Sequence, residues 1–289
     1  IQNSAIAANT PILITHITKD KSWVYAETPF ASGWIPIRNI AYAGPKFIQN
    51  YKNNRNFVSI TKEEVPVIDH NGQFLFHANI GMMFPRTKIT KNYYHVLVAV
   101  PNSKRYAYTQ KAYIKKSKAR TKPIPLTINN VAKLSNELLD LPYGWGGNYQ
   151  NRDCSALIKD LFAGFGIWLP RNSTAQAKKG GTYIKLTGLS EEQKEKMILD
   201  NGTPYLTLVW LPGHIMLYIG EQNGQALVFH NIWGLRTTNQ IGRKIIGKSV
   251  ITTLDPGKNV QNVDPSSSLL KRVEGITLLI PRFSSLTIE

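Results

Sequence analysis

The sequence predicts an α+β protein, in which small β-barrels precede a larger domain of helices and an antiparallel sheet. The first 125 residues contain short β-branched and aromatic runs, separated by charged, proline and glycine turns. The later residues begin with apolar side chains at helical spacing and end in a succession of strand-like runs. Helices followed by a meander of strands are typical of α+β domains.

The front half divides into two sets of short β-strands. The first set contains PILITHIT, SWVYAET and GWIPIRNIAY, and the second contains VPVIDH, QFLFHANIG, YYHVLVAVP and KRYAYTQKAYI. The Asn-Gly pair at residues 71–72 suits a hairpin turn in the second set. We therefore predict two tandem β-barrels, at residues 1–62 and 63–120, with Trp23 and Trp34 in the core of the first.

Positive charge is concentrated in the front half. Residues 1–125 contain 18 Lys and Arg against 5 Asp and Glu, residues 126–289 contain 17 against 13, and the whole chain carries +17. We interpret the basic, proline-ended segment at 115–125 as a linker before a third domain at 126–289. This asymmetry indicates that the front half meets a polyanion, such as nucleic acid, anionic lipid or bacterial wall polymer.

Composition excludes several classes of protein. A hydrophobic content of 42% with 18% charged residues is typical of a globular chain and not of a disordered one. No apolar run approaches the ~20 residues that span a bilayer. The single cysteine excludes an intrachain disulfide. Because the chain starts with neither Met nor a signal-peptide pattern, we expect a product whose upstream segment has been removed.

Three helices and a series of strands are predicted in the third domain. One helix follows Asn129 and Asn130 as possible caps, and a second begins at Cys154 with Asp153 as its cap. Ser190 opens a capping box at the start of the third. The predicted strands are TLVWL, HIMLYIG, QALVFHNI, SVITTL and GITLLIPRF.

Cys154 is the candidate reactive group. In the first turn of its helix, backbone N–H groups and the macrodipole favour a negative charge, so we expect a lowered pKa and a resident thiolate. The alternative is that Cys154 is simply a small buried hydrophobe.

Two of the six histidines could supply the partner base. His214 begins HIMLYIG and His230 closes QALVFH, whereas the other four lie in the front half. A three-residue loop at 222–224 would place His230 opposite Met216 and diagonal to His214, roughly 7–8 Å apart at Cβ. A two-residue Asn-Gly turn would put the two histidines on opposite faces, where they could have no shared function.

A thiolate, a histidine base and a polar group that orients this base form the generalised triad of cysteine hydrolases. The chain has no H-E-x-x-H motif and no second cysteine, so we expect neither a metal site nor a cofactor.

Five motifs resemble, in order, the NlpC/p60 family of papain-like cell-wall peptidases. They are Y-G-W-G-G (143–147), D-C-S-A-L (153–157), L-P-R-N-S-T-A-Q (169–176), P-G-H-I-M-L-Y-I-G (212–220) and the later His230. In the front half, S-W-V-Y-A-E-T and G-W-I-P-I-R-N-I-A-Y look like the paired bacterial SH3-like domains that are often fused ahead of that catalytic unit. The resemblance covers essentially the whole chain.

The resemblance implies a γ-D-glutamyl-diaminopimelate endopeptidase that cleaves peptidoglycan stem peptides through a thioester. Cys154 would be the nucleophile, His214 the general base and acid, and His230 the residue that orients His214. The resemblance further implies substrate or oxyanion contacts for Tyr143, Asp153 and Ser155, and a role in shaping the groove for Arg171, Ser173 and Gln176. Tyr25 and Glu27 of the first SH3-like domain are further candidates for groove contacts.

Two departures from the family pattern stand out; we expect the first to be tolerated, and the second bears on the stem peptide that is accepted. Ala156 replaces a glycine common after Cys-Ser, and Asn172 stands where many members have Asp, which changes the local charge. Four tryptophans of the third domain flank the proposed site and could line a groove, although we expect Trp168 to be a core residue; they are Trp145, Trp168, Trp210 and Trp233.

The expected partner is peptidoglycan or its stem peptides, with anionic wall polymer as a further possibility. We expect an exported monomer that acts in the periplasm, in the cell envelope or outside the cell, and no nucleic-acid partner. The alternatives are a wall-binding protein with an impaired catalytic unit, a nucleic-acid binder, and an enzyme that transfers the acyl group to an amine.

Overall fold

The computed structural model describes residues 2–238 and 242–280, and these form two compact units. Of the described residues, the first unit comprises 2–126 with 160–167, and the second comprises 127–159, 168–238 and 242–280. The first unit consists mainly of antiparallel strands, whereas the second combines helices with a sheet. The α+β class is therefore confirmed.

A small meander opens the first unit. Its strands pair in the order β1-β2-β3, and they span Leu13–Ile17, Trp23–Glu27 and Ser32–Pro36. The prediction that Trp23 and Trp34 fill its core is wrong, because their exposed fractions are 44% and 52%. The inward positions of β2 are taken by the smaller side chains of Val24 and Ala26, which are fully buried.

The second sheet follows helix α1 (Pro45–Lys52) and has the order β10-β4-β7-β8-β9-β5-β6. Its strands are β4 (Phe57–Ile60), β5 (Val65–Asp69), β6 (Phe74–Ala78), β7 (Met83–Ile89), β8 (Tyr93–Pro101), β9 (Ala107–Lys115) and β10 (Ala119–Thr121). Gly72 has φ +82° in the turn between β5 and β6, which confirms the predicted hairpin. Buried side chains such as Val58, Phe84 and Val96 form the core of this sheet.

The basic segment at 115–125 is not a plain linker. Within it, β10 pairs antiparallel with β4, so that Arg120 lies opposite Ser59. This strand is difficult to predict from periodicity, because it has only three residues and Ala119 is the only buried one among them. β4, which precedes the predicted boundary at residue 62, belongs to the same sheet as the strands that follow it.

Helices of the second unit begin where side chains cap them. Thr127 caps α2 (Ile128–Glu137) by accepting from the N–H of Asn130, so the predicted caps at Asn129 and Asn130 are wrong by two residues or more. The carboxylate of Asp153 accepts from the N–H of Ala156, as predicted, at the start of α3 (Cys154–Ala163). The remaining helices are α4 (Ser173–Lys179), α5 (Glu191–Asn201), which has the predicted capping box at Ser190, and α6 (Leu269–Arg272).

The sheet of the second unit has the order β11-β16-β12-β13-β14-β15. Its antiparallel strands are β11 (Thr182–Lys185), β12 (Thr207–Leu211), β13 (His214–Gln222), β14 (Gln225–Arg236), β15 (Arg243–Thr253) and β16 (Gly275–Leu278). The five predicted strand runs correspond to β12 to β16, while residues 281–283 of the last run lie outside the described residues. A core of fully buried side chains, including Val209, Met216 and Val228, holds the sheet in place.

The hairpin between β13 and β14 differs from the predicted one. It has a two-residue turn, in which Asn223 and Gly224 both have positive φ and Gln222 pairs with Gln225. Ile219 is then an extra residue on β13, so the register shifts by one and Leu217 pairs with Phe229. The predicted three-residue loop is wrong, but this bulge restores the predicted register around the histidines.

In the described part of the chain, we find no helix with both the length and the apolar character needed to cross a bilayer.

Candidate active site

Cys154 occupies the first position of α3, and its thiol lies against the start of β13. The backbone N–H groups of Ile215 and Ser155 donate to its sulfur. The side chain is only 6% exposed. Since Ile215 follows His214 directly, the fold brings the helix that carries the thiol to the strand that carries the proposed base.

His214 and His230 form a hydrogen-bonded pair. Nε2 of His214 lies 2.8 Å from Nδ1 of His230, and the two rings meet edge to face with centroids 5.1 Å apart. His230 is fully buried, whereas His214 keeps partial exposure. The prediction that the two histidines share a face is confirmed, although their catalytic roles stay predictions.

Thr252 on β15 extends this pair, and the sequence analysis missed it. Its Oγ1 lies 3.0 Å from Nε2 of His230. His230 pairs with Val250 across β14 and β15, so Thr252 is the diagonal neighbour on the same face. The same diagonal rule that links the two histidines could have identified Thr252, given the register of β15.

Burial dominates the electrostatics of the thiol. It raises the pKa of Cys154 to about 12, and the nearby charge of Asp153 acts in the same direction. The N–H donors and Arg171 lower this pKa, but by less. The prediction of a resident thiolate is therefore wrong for the resting protein, because loss of solvent outweighs the helix N-terminus.

Burial also keeps the imidazoles neutral. It lowers the pKa of His214 to about 4, and the charge of Arg272 adds to the effect. The pKa of His230 is lowered well below its ordinary value by burial and by His214. At neutral pH the site thus holds a neutral thiol beside a neutral base.

Tyr143 lies beside the thiol, in a loop that leads into α3. Burial raises its pKa, and negative charge at Cys154 and Asp153 would raise it further, so the phenol keeps its proton and can donate. Its ring centroid is 5.9 Å from that of Trp233, and its N–H donates to Gly247. Trp233 sits at an irregularity between β14 and β15 that turns its side chain towards Tyr143.

Asp153, Ser155 and Arg171 form a compact polar network behind the thiol. Two guanidinium nitrogens of Arg171 donate to the carboxylate of Asp153, at 3.0 and 2.7 Å, and one also donates to Ser155 Oγ at 2.9 Å. The Ser155 hydroxyl donates to Asp153 as well. This carboxylate is largely committed to the protein, so a direct contact with substrate stays a prediction.

The segment around α4 is tied to the same helix. The side-chain N–H groups of Gln176, which is fully buried, donate to the carbonyls of Ser155 and Pro170 at 2.8 Å. Ser173 is buried at the first position of α4, and Asn172 caps this helix through the N–H of Ala175. The side-chain oxygen of Asn172 accepts this capping hydrogen bond, and an Asp carboxylate could accept it as well. Having Asn instead of Asp at position 172 therefore changes the local charge but keeps the cap.

The other predicted groove residues occupy varied positions. Tyr25 and Glu27 lie on β2 of the first unit, where Tyr25 packs edge to face on Trp34; their groove contacts stay predictions. Trp168 is 64% exposed, so its predicted burial is wrong, and Trp145 is 69% exposed.

Three arginines lie within electrostatic reach of one another, and two of them also act on residues of the site. Arg236 and Arg243 are direct cross-strand neighbours on β14 and β15. Burial lowers the pKa of Arg272, and the charges of these two arginines lower it further. Arg272 acts on His214, and Arg243 acts on Tyr143. Like charges placed opposite each other are destabilising, and this grouping therefore suits an anionic ligand.

Residues 2–238 and 242–280 contain no cluster of three or more His, Cys, Asp and Glu side chains that could hold a metal ion.

Comparison with family models identifies the domains. Residues 140–244 match the NlpC/P60 family, residues 1–36 match an SH3 domain of the SH3b1 type, and residues 45–88 match an SH3 domain of the SH3b2 type. Among curated proteins, none is significantly similar to this chain.

Two solved structures are similar over nearly the whole chain. An NlpC/P60 endopeptidase from Photobacterium damselae subsp. piscicida is 29% identical with a TM-score of 0.80, and the match covers 96% of this chain and 65% of that one. An NlpC/P60 family protein from Bacillus cereus ATCC 10987 is 18% identical with a TM-score of 0.65, covering 96% and 82%. The second likeness shows the fold alone.

Alkylation of Cys154 tests its protonation state. As the chain has one thiol, iodoacetamide reports on this residue alone. We expect the rate to rise about tenfold per pH unit from about pH 6 to pH 9, because the neutral thiol predominates throughout. A rate that stays constant across neutral pH would reveal a resident thiolate and contradict this expectation. The unfolded chain, with its ordinary thiol pKa of about 8.5, is the control.

Acid should weaken the second unit before its carboxylates titrate. His214 has a pKa of about 4 when folded and about 6.5 when unfolded, so its contribution is complete above pH 6.5 and is lost towards pH 4. We expect His214→Gln to reduce this loss by on the order of 2 kcal/mol, measured by calorimetry of the second unit's transition between pH 7 and 4.5. The exposed His70 of the first unit supplies the control variant His70→Gln. An equal pH dependence in the wild type and in His214→Gln would disprove the assignment.

Proposed function

Because residues 140–244 form an NlpC/P60 domain behind two SH3b-type domains, we propose that this protein is a cysteine endopeptidase of bacterial peptidoglycan. Its substrate is the stem peptide, and the bond that it hydrolyses is the γ-D-glutamyl-diaminopimelate amide. The reaction proceeds through a thioester on Cys154. The observation that carries the proposal is the placement of Cys154 beside the strand that begins with His214. Nε2 of His214 is hydrogen-bonded to Nδ1 of His230.

The nucleophile forms by proton transfer within the site. Nδ1 of His214 takes the thiol proton of Cys154, and the sulfur attacks the γ-carbonyl carbon of the D-glutamyl residue. The resulting imidazolium and the developing negative charge form a pair, and their mutual attraction offsets the burial that disfavours either charge alone.

Oxyanion stabilisation comes from the loop and the helix start. The N–H of Cys154, in the first turn of α3, and the phenol of Tyr143 donate to the oxygen that becomes negative. The raised pKa of Tyr143 suits this role, since a deprotonated phenol would repel the oxyanion.

Breakdown of the intermediate returns the proton. The imidazolium of His214 protonates the amine of diaminopimelate as the C–N bond breaks, which leaves an acyl group on the sulfur of Cys154. Water then attacks the thioester, with His214 as the base, and thiol and carboxylic acid are regenerated. An amide has a poor leaving group, and the covalent intermediate divides the hydrolysis into two easier steps.

Substrate charge matches the surroundings of the site. Stem peptides carry carboxylates at D-glutamate and diaminopimelate. Arg272 provides positive charge near His214, Arg243 provides it near Tyr143, and Arg236 lies within electrostatic reach of Arg272. Asp153 and Ser155 position the L-Ala–γ-D-Glu end, while Arg171, Ser173 and Gln176 shape the groove. Tyr25 and Glu27 supply contacts from the first SH3b-type domain.

The basic front half attaches the protein to the wall. Domains at 1–62 and 63–120 bind peptidoglycan or its anionic polymers, consistent with the excess of Lys and Arg over Asp and Glu in this half. The catalytic domain at 126–289 then acts as a monomer, outside the cytoplasm, in the periplasm, the cell envelope or the medium.

Mass spectrometry of digested peptidoglycan fragments tests the bond and the nucleophile together. We expect the wild type to release products that end in γ-D-glutamate and products that begin with diaminopimelate. Cys154→Ala should reduce the release at least about 1,000-fold, since the covalent route is lost.

Two controls accompany this experiment. His70→Gln, at an exposed position of the first unit, should cleave like the wild type, and Cys154→Ala should still sediment with purified wall. Undiminished cleavage by Cys154→Ala, or cleavage at another bond, would overturn the proposal. Products in which an added amine replaces water would instead identify an acyl transferase.

A further inference from the structure

Thr252 determines where the protons of the histidine pair lie. Its hydroxyl donates to the carbonyl oxygen of Thr253 at 2.7 Å, so its oxygen faces Nε2 of His230 as an acceptor. Nε2 of His230 must then carry a hydrogen. A neutral imidazole has one N–H, which leaves Nδ1 of His230 as an acceptor.

The same hydrogen-bond argument applies to His214. Its Nε2 lies 2.8 Å from the acceptor Nδ1 of His230 and must donate. Nδ1 of His214 is then unprotonated, and it is the ring nitrogen that remains for the thiol of Cys154. Nδ1 of His214 then has the lone pair that can accept the thiol proton. A chain of hydrogen bonds determines that this lone pair is on Nδ1, and the chain ends at the backbone carbonyl of Thr253 on β15.

We propose that Thr252 is a positioning residue that fixes the tautomers of His230 and His214, so that Nδ1 of His214 can accept the proton of Cys154. The inference rests on the proposed function for its kinetic consequence, but the tautomers themselves do not depend on the substrate. No proton moves along the chain, because each hydrogen bond keeps its own donor through the reaction.

Burial makes the effect of Thr252 strong. His230 is fully buried, so a donor at its Nε2 has no solvent to replace a missing acceptor. Valine has nearly the volume of threonine and would fill the space without accepting a hydrogen bond. In Thr252→Val, His230 avoids an unsatisfied N–H by moving its hydrogen to Nδ1. His214 must then accept at Nε2 and hold its hydrogen at Nδ1, where it faces the thiol and cannot act as a base.

Nitrogen-15 NMR of the histidine side chains in the full chain tests the tautomers directly. In the wild type at neutral pH, we expect His214 and His230 to be protonated at Nε2 and unprotonated at Nδ1. Thr252→Val should reverse both assignments, and Thr252→Ser should keep the wild-type pattern. A wild-type His230 protonated at Nδ1 would overturn the proposal, even if no variant folds.

Kinetics on peptidoglycan fragments provide the second readout. We expect Thr252→Val to lower kcat at least about tenfold with little change in KM, and Thr252→Ser to restore it. Thr109→Val is the matched control, since it makes the same change at an exposed strand position of the first unit, on β9, and should leave kcat unchanged. Wild-type kcat and wild-type tautomers in Thr252→Val would refute the proposal. If the wild type cleaves no γ-D-glutamyl bond but the tautomers reverse as expected, the proposed function fails and this inference stands.

Discussion

The hydrogen bond between His214 and His230 depends on the register of two strands. Side chains alternate with a period of two along a strand, so a shift of one residue would move His214 to the opposite face from His230. The turn at Asn223 and Gly224 sets the wrong register for the pair, and the extra residue Ile219 corrects it before the chain reaches the histidines. The candidate site therefore requires the bulge as much as it requires its reactive groups.

Burial, more than the helix terminus, sets the resting state of the thiol. A helix N-terminus typically stabilises an adjacent anion by about 0.3–1 kcal/mol, with a maximum of ~2 kcal/mol. A rise in the pKa of Cys154 from its ordinary value to about 12 corresponds to roughly 4–5 kcal/mol against the thiolate. The larger effect prevails, so the proposed attack by Cys154 requires that His214 first take the thiol proton.

Local patterns predicted most elements of the second unit, and long-range geometry accounts for the failures. Short apolar and β-branched runs identified β12 to β16, and polar capping residues identified the starts of α3 and α5. The bulge at Ile219 could not be predicted, because a turn of two residues and one of three are compatible with the same letters. Thr252 was missed since its position depends on the register of a third strand. The exposure of Trp23, Trp34 and Trp168 shows that a large apolar side chain by itself does not indicate a core position.

Asp153 links the start of α3, which carries Cys154, to the segment that begins at Arg171. Its carboxylate caps α3 and binds Arg171 through two hydrogen bonds, at a place where both side chains are largely buried. A buried ion pair contributes little net stability, but either charge left alone would be costly. The pair therefore acts as a constraint, which fixes the segment that begins at Arg171 against the helix that carries Cys154. The guanidinium offsets only part of the effect of Asp153 on the pKa of the thiol, so the network that positions Cys154 also adds to the preference for the neutral thiol.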